Sequence, residues 1–285
     1  MIVKKSMKKH LSTIIMILIF SIGLSVMLYP TVSDYINSLH QSHAIADYST
    51  ALKDYTATDI TEKLTAANEY NAELRNTPMA FYNPKLIDGY ENLLNMNGTG
   101  IMGYISIDQI NVKLPIYHTV DESVLQVAVG HLEGTSLPVG GAGTHCVLSG
   151  HRGLPSAQLF SNLDKLEIGD TFVITVFEQK LTYQIDQIKT VLPTDVEDLQ
   201  IVDGKDYCTL MTCTPYGINS HRLLVRGTRI ENEIEMPEND AKDTATSRIN
   251  SFPFIAVPVI IFPILLILLV KRRRERAKEN DKKNI

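Results

Sequence analysis

Two long apolar segments lie near the ends of the chain and enclose a more polar middle. Residues 11–28 are apolar except for small serine, threonine and glycine side chains. Residues 252–270 are similarly apolar, and their length matches a membrane span of about 20 residues. Lysines precede the first segment, and four basic residues, 271–274, follow the second. Because basic residues concentrate on the cytoplasmic side of membranes, the pattern predicts two transmembrane helices with both termini in the cytoplasm.

The first apolar segment has a second interpretation, a cleaved signal peptide, because a basic start followed by an apolar run fits both. The run is long enough to span a membrane, and no A-x-A-like cleavage site follows it. We therefore predict that residues 1–30 form a basic cytoplasmic tail and an uncleaved anchor. Residues 252–270 are predicted as the second span and 271–285 as a basic cytoplasmic tail. Pro258 and Pro263, which lie within that span, are tolerated in membrane helices.

The segment that follows the first apolar run has a helical pattern. Between residues 32 and 75, apolar side chains recur at loosely helical spacing among polar ones, without proline. This spacing predicts one or two amphipathic helices in an extracellular segment, 31–76. We interpret them as packing and spacer elements in preference to a binding helix. Pro78 and Pro84 end the pattern, so 77–99 is predicted to be irregular.

From Gly100 onward the pattern changes to short apolar or alternating runs separated by glycine, proline, asparagine and aspartate. Short helices are predicted near 122–129 and 156–159. Many short strands with few helices are typical of a closed barrel or a sandwich, here over residues 100–230. The acidic, irregular residues 231–251 are predicted to be a linker back to the membrane. The predicted strands lie near 102–107, 113–117, 145–149, 171–176, 180–191, 207–213 and 223–230.

The charge distribution excludes a nucleic-acid-binding function. The formal net charge is −5, and the two basic ends together carry +9, which leaves −14 for the residues between them. Such an acidic domain repels phosphate, which supplies most non-specific affinity for nucleic acids. Three cysteines are an odd number, so at least one thiol is free. No C-x-x-C and no Cys/His pair at zinc-finger spacing occurs, and we predict no metal site.

A cysteine, a histidine and an arginine each lie at a predicted junction between strand and loop. Cys213 ends a strand of apolar and threonine residues and is followed by Pro215. His151 follows another strand; Gly150 precedes it, and Gly153 lies two residues after it. Arg222 begins the strand that comes after Cys213. This set indicates a thiol nucleophile, a proton-transfer partner and a cation that binds an oxyanion.

The other residues of these types fit structural roles. Cys146 and Cys208 lie inside apolar runs, as inert buried thiols do, and Cys208 should face away from Cys213 in a regular strand. Arg152 and Arg226 are unfavourably placed for the role of Arg222. His221 precedes Arg222 directly, so in a strand its side chain should lie on the opposite face, and we interpret it as structural. The histidines that compete with His151 are His118, His131, His145 and His221.

At these residues the sequence resembles a known family. Residues 209–213, TLMTC, match the T-L-x-T-C signature of sortases, the cysteine transpeptidases of Gram-positive cell surfaces. The resemblance extends with few gaps from about residue 29 to about residue 229. Further stretches resemble the pilus-assembling branch, class C: MGYI at 102–105, LPIYH at 114–118, GHLEGTSLPVGG at 130–141 and LSGHRGLPSA at 148–157.

The resemblance implies a mainly β fold, the eight-stranded sortase barrel, with short helices and an N-terminal helical segment. It makes Cys213 the nucleophile. His151 would protonate the leaving amine and then deprotonate the incoming one, and Arg222 would hold the substrate and stabilise the tetrahedral oxyanion. Thr212, beside the cysteine, is expected to help shape the oxyanion site through its backbone or its hydroxyl.

The implied reaction is a two-step acyl transfer that needs no metal or organic cofactor. Cys213 attacks the Thr–Gly bond of an L-P-x-T-G-like sorting signal, and an acceptor lysine of another pilin resolves the thioester. The expected partners are pilin subunits and the membrane. No L-P-x-T-G precedes residues 252–270, which favours an enzyme over its substrate.

Three alternatives remain beside this one. A housekeeping sortase would use the same three residues to anchor proteins to a peptidoglycan precursor. A membrane-tethered scaffold with a silent site would need none of them. A papain-like peptidase would place its cysteine before its histidine, whereas here His151 precedes Cys213.

Class C enzymes commonly carry a lid, a loop with Asp-Pro-Phe or Asp-Pro-Trp over the active site. That triplet is absent from residues 77–99. We therefore predict a shortened lid-equivalent region and an open site, with Asp88 and Tyr90 as a possible remnant of the lid.

Overall fold

The computed structural model describes residues 2–96 and 98–232. The chain forms two compact units, and Ser33–Asn239 is the unit that contains the predicted catalytic residues. The predicted linker beyond residue 232, the second membrane helix at 252–270 and the basic tail at 271–285 lie outside the described residues.

The first element is a single long helix, α1, which spans Ile2–Ala51 and contains Pro30. Within the described residues, one helix is long and apolar enough to cross a membrane. It contains an 18-residue window of mean hydropathy 2.2, none of it buried. This matches the apolar N-terminal segment predicted from the pattern. The uncleaved anchor and the two-span arrangement stay predictions.

The second helix, α2, spans Ala57–Asn76 and begins at a capping box. The Thr56 hydroxyl accepts from the Asp59 amide at 3.2 Å, and the Asp59 carboxylate accepts from the Thr56 amide at 2.8 Å. Each side chain satisfies an amide that has no partner within the helix. The buried side chains recur at intervals of three or four residues, so α2 packs one face on the domain. They are Ala67, Tyr70, Asn71 and Leu74.

Eight strands close into a barrel in the order β1-β2-β3-β4-β7-β8-β6-β5. The pairs β2–β3 and β4–β7 are parallel, and the other pairs are antiparallel. A closed barrel leaves no free sheet edge. The strands are β1 Ile101–Ile107, β2 Val112–Tyr117, β3 Val129–His131, β4 Thr144–Ser149, β5 Thr171–Val176, β6 Gln179–Val191, β7 Asp206–Thr214 and β8 His221–Arg229.

The barrel confirms the seven strands expected from the sequence, while the short elements differ. The third strand, β3, was not expected, because three residues are too few to show an alternating pattern. Its first residue, Val129, falls within the range predicted as helix, where the helix α3 spans only Glu122–Leu125. The prediction of a helix at 156–159 is wrong.

The chain at 156–159 forms turns because side chains of α1 bind its backbone. Asn37 donates to the Ser156 carbonyl at 2.8 Å, and Asp34 accepts from the Gln158 amide at 2.7 Å. These backbone groups are satisfied by α1 and do not depend on a helical hydrogen bond. The segment is therefore fastened to α1 close after His151.

The interior of the barrel is apolar on the inward face of every long strand. Ile105, Leu148, Leu210 and Val225 are fully buried there, on β1, β4, β7 and β8. Strand residues alternate between the two faces, so the neighbours of these residues point outward. Cys213 therefore lies on the outer face of β7, because it is an odd number of residues from Leu210.

Candidate active site

The register between β7 and β8 brings Cys213 and Arg222 together. The two residues are directly paired across the antiparallel strands, at the end of β7 and the start of β8. Side chains of directly paired residues lie on the same face, with their Cβ atoms about 5 Å apart. The thiol and the guanidinium are therefore neighbours at the same end of the barrel.

His151 reaches the same place through the parallel pairing of β4 with β7. Ser149 pairs with Met211, so His151 and Cys213 each lie two residues beyond that pair, on the strand ends that share one edge. The Gly150 amide donates to the Met211 carbonyl at 3.1 Å, which continues the ladder to the residue before His151. The structure thus places all three predicted residues at one end of the barrel.

The backbone of His151 is held from a second side. The Phe160 amide donates to the His151 carbonyl at 3.1 Å. The Phe160 ring lies against Gly150, where an added Cβ would come within 2.7 Å of it. A larger residue at position 150 would displace the ring or the histidine. The glycine before His151 is thus a packing requirement.

Exposure separates Cys213 from the other two thiols. Cys213 is half-buried, whereas Cys146 and Cys208 are enclosed by the core, 2% and 0% exposed. Burial raises the pKa of Cys208 well above its usual range, so this thiol stays protonated and inert. Among the cysteines, Cys213 alone is open to a substrate.

The charged neighbours of the site suit an acyl transfer. The guanidinium of Arg222 donates to the backbone carbonyls of His221 at 3.1 Å and Asn219 at 3.4 Å. In the part of the chain that the structure describes, no carboxylate pairs with Arg222, so its remaining donors are available to an anion. His151 Nε2 lies 3.5 Å from the carboxylate of Glu122, at the start of α3. Sequence reasoning missed Glu122, because no motif connects it to the histidine.

Thr212 joins the strand of the cysteine to the strand of the histidine. Its hydroxyl donates to the Gly150 carbonyl at 2.7 Å, and its side chain is buried on the inward face of β7. The hydroxyl is therefore used in fixing β4 against β7. A role of the Thr212 backbone in the oxyanion site stays a prediction.

The predicted lid region, 77–99, forms three short 3-10 turns: Pro78–Phe81, Pro84–Leu86 and Tyr90–Asn92. Tyr90 is buried, and its hydroxyl bonds His131 Nδ1 at 2.9 Å and accepts from the Thr119 amide at 3.2 Å. Asp88 is exposed. Among the described residues, the hydrogen-bond partners of the Tyr90 hydroxyl are His131 and Thr119, and a lid role for Asp88 and Tyr90 stays a prediction.

An apolar cluster lies on the outer face of the barrel next to the thiol. Met211, two residues before Cys213 on the same face, packs there with Val147 of β4 and Leu224 of β8. Leu199, from the connection between β6 and β7, and Phe81, from the lid region, also belong to this outer apolar cluster. The outer face of the barrel next to Cys213 is therefore covered by the lid region and by the connection between β6 and β7.

The competing histidines have structural partners. His145 is buried, and its Nδ1 lies 2.9 Å from the Gln200 carbonyl, which can only accept, so Nδ1 carries the proton. Its Nε2 then accepts from the Thr209 hydroxyl at 2.8 Å. Burial lowers the pKa of His145 to about 4. His131 bonds Tyr90 and the Ser136 carbonyl, which fits a core histidine.

The neutral His145 predicts a loss of stability in mild acid. Its folded pKa of about 4 lies below the ordinary value of 6.5, so the unfolded chain binds the proton more readily. Its contribution is complete above pH 6.5 and is lost as the pH falls towards 4, at most about 3 kcal/mol. Chemical unfolding at several pH values should show this slope, and His145→Gln should reduce it. The exposed His43→Gln is the control, and equal slopes in all three proteins would contradict the assignment.

No metal site accompanies the three residues. Over residues 2–96 and 98–232, no group of three or more histidine, cysteine, aspartate or glutamate side chains is arranged to hold a metal ion.

Comparisons with known proteins give one consistent family. The model of the sortase domain matches residues 105–230. Sortase A of Streptococcus agalactiae serotype III (strain NEM316) is 31% identical over 117 residues, which are 40% of this chain and 47% of that protein. This chain thus spans about half of the length of that relative.

Solved structures are similar over a larger part of the chain. Sortase C1 from Streptococcus agalactiae is 49% identical with a TM-score of 0.62, covering 67% of this chain and 100% of that one. Sortase C1 of GBS Pilus Island 1 is 46% identical with a TM-score of 0.63, covering 70% of this chain and 96% of that one.

Proposed function

We propose that this chain, which belongs to the sortase family and to its class C branch, is a cysteine transpeptidase that joins pilin subunits. The observation that carries the proposal is the direct pairing of Cys213 with Arg222, with His151 at the end of the adjacent parallel strand. A nucleophile, a group that transfers protons and a hydrogen-bond donor for the oxyanion, all at one end of the barrel, are what an acyl transfer requires.

In the first step, the Cys213 thiol gives its proton to His151, and its sulfur attacks the threonine carbonyl of an L-P-x-T-G-like sorting signal. The carbonyl oxygen becomes an oxyanion, which the free donors of Arg222 stabilise. The Thr–Gly carbon–nitrogen bond then breaks, and His151 gives a proton to the departing glycine amine. The products are a thioester on Cys213 and the released tail of the signal.

In the second step, the amine of a pilin lysine attacks the thioester carbonyl. His151, now neutral, takes a proton from that amine, and Arg222 again stabilises the oxyanion. The carbon–sulfur bond breaks, His151 returns the proton to the sulfur so that the thiol of Cys213 is regenerated, and an isopeptide bond joins the two subunits. The balance needs no oxidant, reductant or cofactor.

The outer apolar cluster supports a signal that begins with leucine and proline. Met211, which is partly exposed and packs on the buried Val147, gives an apolar floor on the face that bears Cys213, and burial of an apolar side chain there contributes about 1.5–3 kcal/mol. Phe81 occupies part of this floor in the present structure. A bound signal must therefore share the floor with Phe81 or move it. The open site stays a prediction.

We also infer that the protein is held at a membrane through α1, because none of its apolar window is buried in the protein. The extracellular position of the barrel, the second span and the cytoplasmic termini belong to this proposal. They rest on the distribution of basic residues at the two ends of the chain.

Pilin polymerisation is tested with the full chain in detergent and a purified pilin that ends in an L-P-x-T-G-like signal. We expect ladders of covalent polymer on a denaturing gel. The same pilin with acetylated lysines should be cleaved without forming a ladder, because it keeps the signal and loses the acceptor. Cleavage without a ladder, together with transfer to an amine of a peptidoglycan precursor, would instead establish the anchoring reaction. Intact pilin after long incubation would contradict both.

A further inference from the structure

A buried arginine beside His151 connects it to the residue beside Cys213. Arg152 follows the histidine directly, and its side chain is 10% exposed. Its Nη1 donates to the Thr214 hydroxyl at 3.0 Å, and Thr214 follows the cysteine directly. Its Nη2 donates to the Asp164 carboxylate at 2.5 Å. We propose that Arg152 is a positioning residue, which sets the distance between His151 and Cys213 through Thr214.

The connection lies where the sheet no longer fixes the two residues. The β4–β7 ladder ends with the Gly150–Met211 bond, and among the described residues no backbone hydrogen bond joins 151–153 to 213–217. The Thr212 hydroxyl on Gly150 supports the ladder at the same level. Beyond that level, Arg152 supplies the polar link between the loop of the histidine and the turn of the cysteine.

A close contact next to the link keeps the two loops together. Gly153 has a φ of +76°, and an added Cβ would come within 2.7 Å of the Tyr216 ring. The loop of His151 therefore packs directly on the loop that follows Cys213. This contact sets how closely the loops approach, and the hydrogen bond to Thr214 sets their relative placement.

The arginine suits this role better than a role in stability. A charged side chain that is nine-tenths buried loses hydration, and an ion pair recovers that loss only in part. Its partner Asp164 is 45% exposed, so water weakens the pair. The guanidinium is planar with donors in fixed directions, and it can hold Thr214 and Asp164 at a constant angle. Fixed direction is the property that a positioning residue requires.

The inference rests on the proposed function only for its kinetic part. In acyl transfer, the imidazole must serve both the leaving and the incoming amine within hydrogen-bond reach. A displacement of about 1 Å can lower the rate about 100-fold. A lost link should therefore lower kcat and leave KM nearly unchanged, because the residues proposed to contact the sorting signal are kept.

Thr214→Val tests the link with the least disturbance of the fold, since valine keeps the branched shape and removes the acceptor. We expect kcat for cleavage of a sorting-signal peptide to fall about tenfold or more, with KM within about twofold. Thr214→Ser restores the hydroxyl and should recover most of the rate. Arg152→Ala should resemble Thr214→Val. Thr228→Val, a half-exposed threonine of β8, is the control and should behave as the wild type.

A second measurement does not depend on the sorting signal. Iodoacetamide should alkylate Cys213 selectively, because the other two thiols are buried. The pH midpoint of this reaction depends on the separation of thiol and imidazole, and on Glu122 and Arg222, which these variants keep. We expect Thr214→Val to move the midpoint and Thr214→Ser to leave it in place.

The outcomes separate this inference from the proposed function. If the wild type cleaves no sorting peptide, the proposed substrate is wrong, and the alkylation midpoint alone decides the role of Arg152. Wild-type kcat and an unmoved midpoint in Thr214→Val would overturn the inference. Equal losses in Thr214→Val and Thr214→Ser would also overturn it, because the hydroxyl would then not be the linking group.

Discussion

Cys213→Ala is expected to abolish cleavage of the sorting signal and polymer formation together, with kcat/KM lowered by at least about 10⁴-fold. Alanine removes the only half-exposed thiol among the described residues, so no thioester can form. The measurement is release of the glycine-containing tail by mass spectrometry, with the covalent adduct of wild-type enzyme and signal as a second readout. We expect that adduct to be absent from the variant.

Cys208→Ala is the matched control for the loss of a thiol from the same strand. Its thiol is fully buried and faces inward, so the substitution should leave kcat/KM nearly unchanged. Removal of the sulfur should cost about 1 kcal/mol of stability, and the assay is run well below the unfolding temperature. Tail release by Cys213→Ala above the background without enzyme would contradict the assignment of the nucleophile.

Arg222→Ala is expected to lower kcat about 10²–10³-fold, equivalent to about 3–4 kcal/mol of transition-state stabilisation. The guanidinium contacts two backbone carbonyls and keeps donors for the oxyanion beside Cys213. Arg222→Lys should recover only part of the rate, because an ammonium group cannot reproduce the directions of a guanidinium. Steady-state kinetics of peptide cleavage measure both variants.

Arg226→Ala is the control for charge, because Arg226 lies on the same face of the same strand. Its guanidinium is paired with Asp186 at 2.9 Å and is not free for substrate. We expect its kcat to stay within about threefold of the wild type. If Arg222→Ala raises KM and leaves kcat unchanged, the arginine binds substrate and transition state equally, and its proposed oxyanion role is wrong.

The fold was predictable where the signals are local. The run of apolar and threonine residues from Tyr207 to Thr212 predicts a strand, and the structure has β7 there. Six other strands were predicted in the same way, because their apolar or alternating runs are long enough to indicate a strand. β3 was missed because three residues carry no period, and its place depends on pairing with β2 and β4.

The candidate site was predictable as a set of residue types at strand ends, and the family resemblance selected His151 from several histidines. The structure explains the rejected ones, since His145 bonds Gln200 and Thr209, which are 55 and 64 residues away along the chain. No local pattern records such partners. The predicted short helix at 156–159 is wrong because distant residues again decide the local structure. Side chains of α1 form hydrogen bonds with this backbone.

The sequence by itself determined the apolar N-terminal segment, seven of the eight strands, the three candidate residues of the site and the family resemblance, because periodicity, turn residues and motifs are properties of neighbouring positions. Only the tertiary structure decided that Glu122 lies beside His151, that Phe81 covers the apolar floor, and that Arg152 reaches Thr214 across 62 residues of chain. Those contacts follow from the parallel register of β4 and β7 and from the packing of loops on the closed barrel. Register and packing are properties of the whole domain, so no stretch of the chain carries them alone.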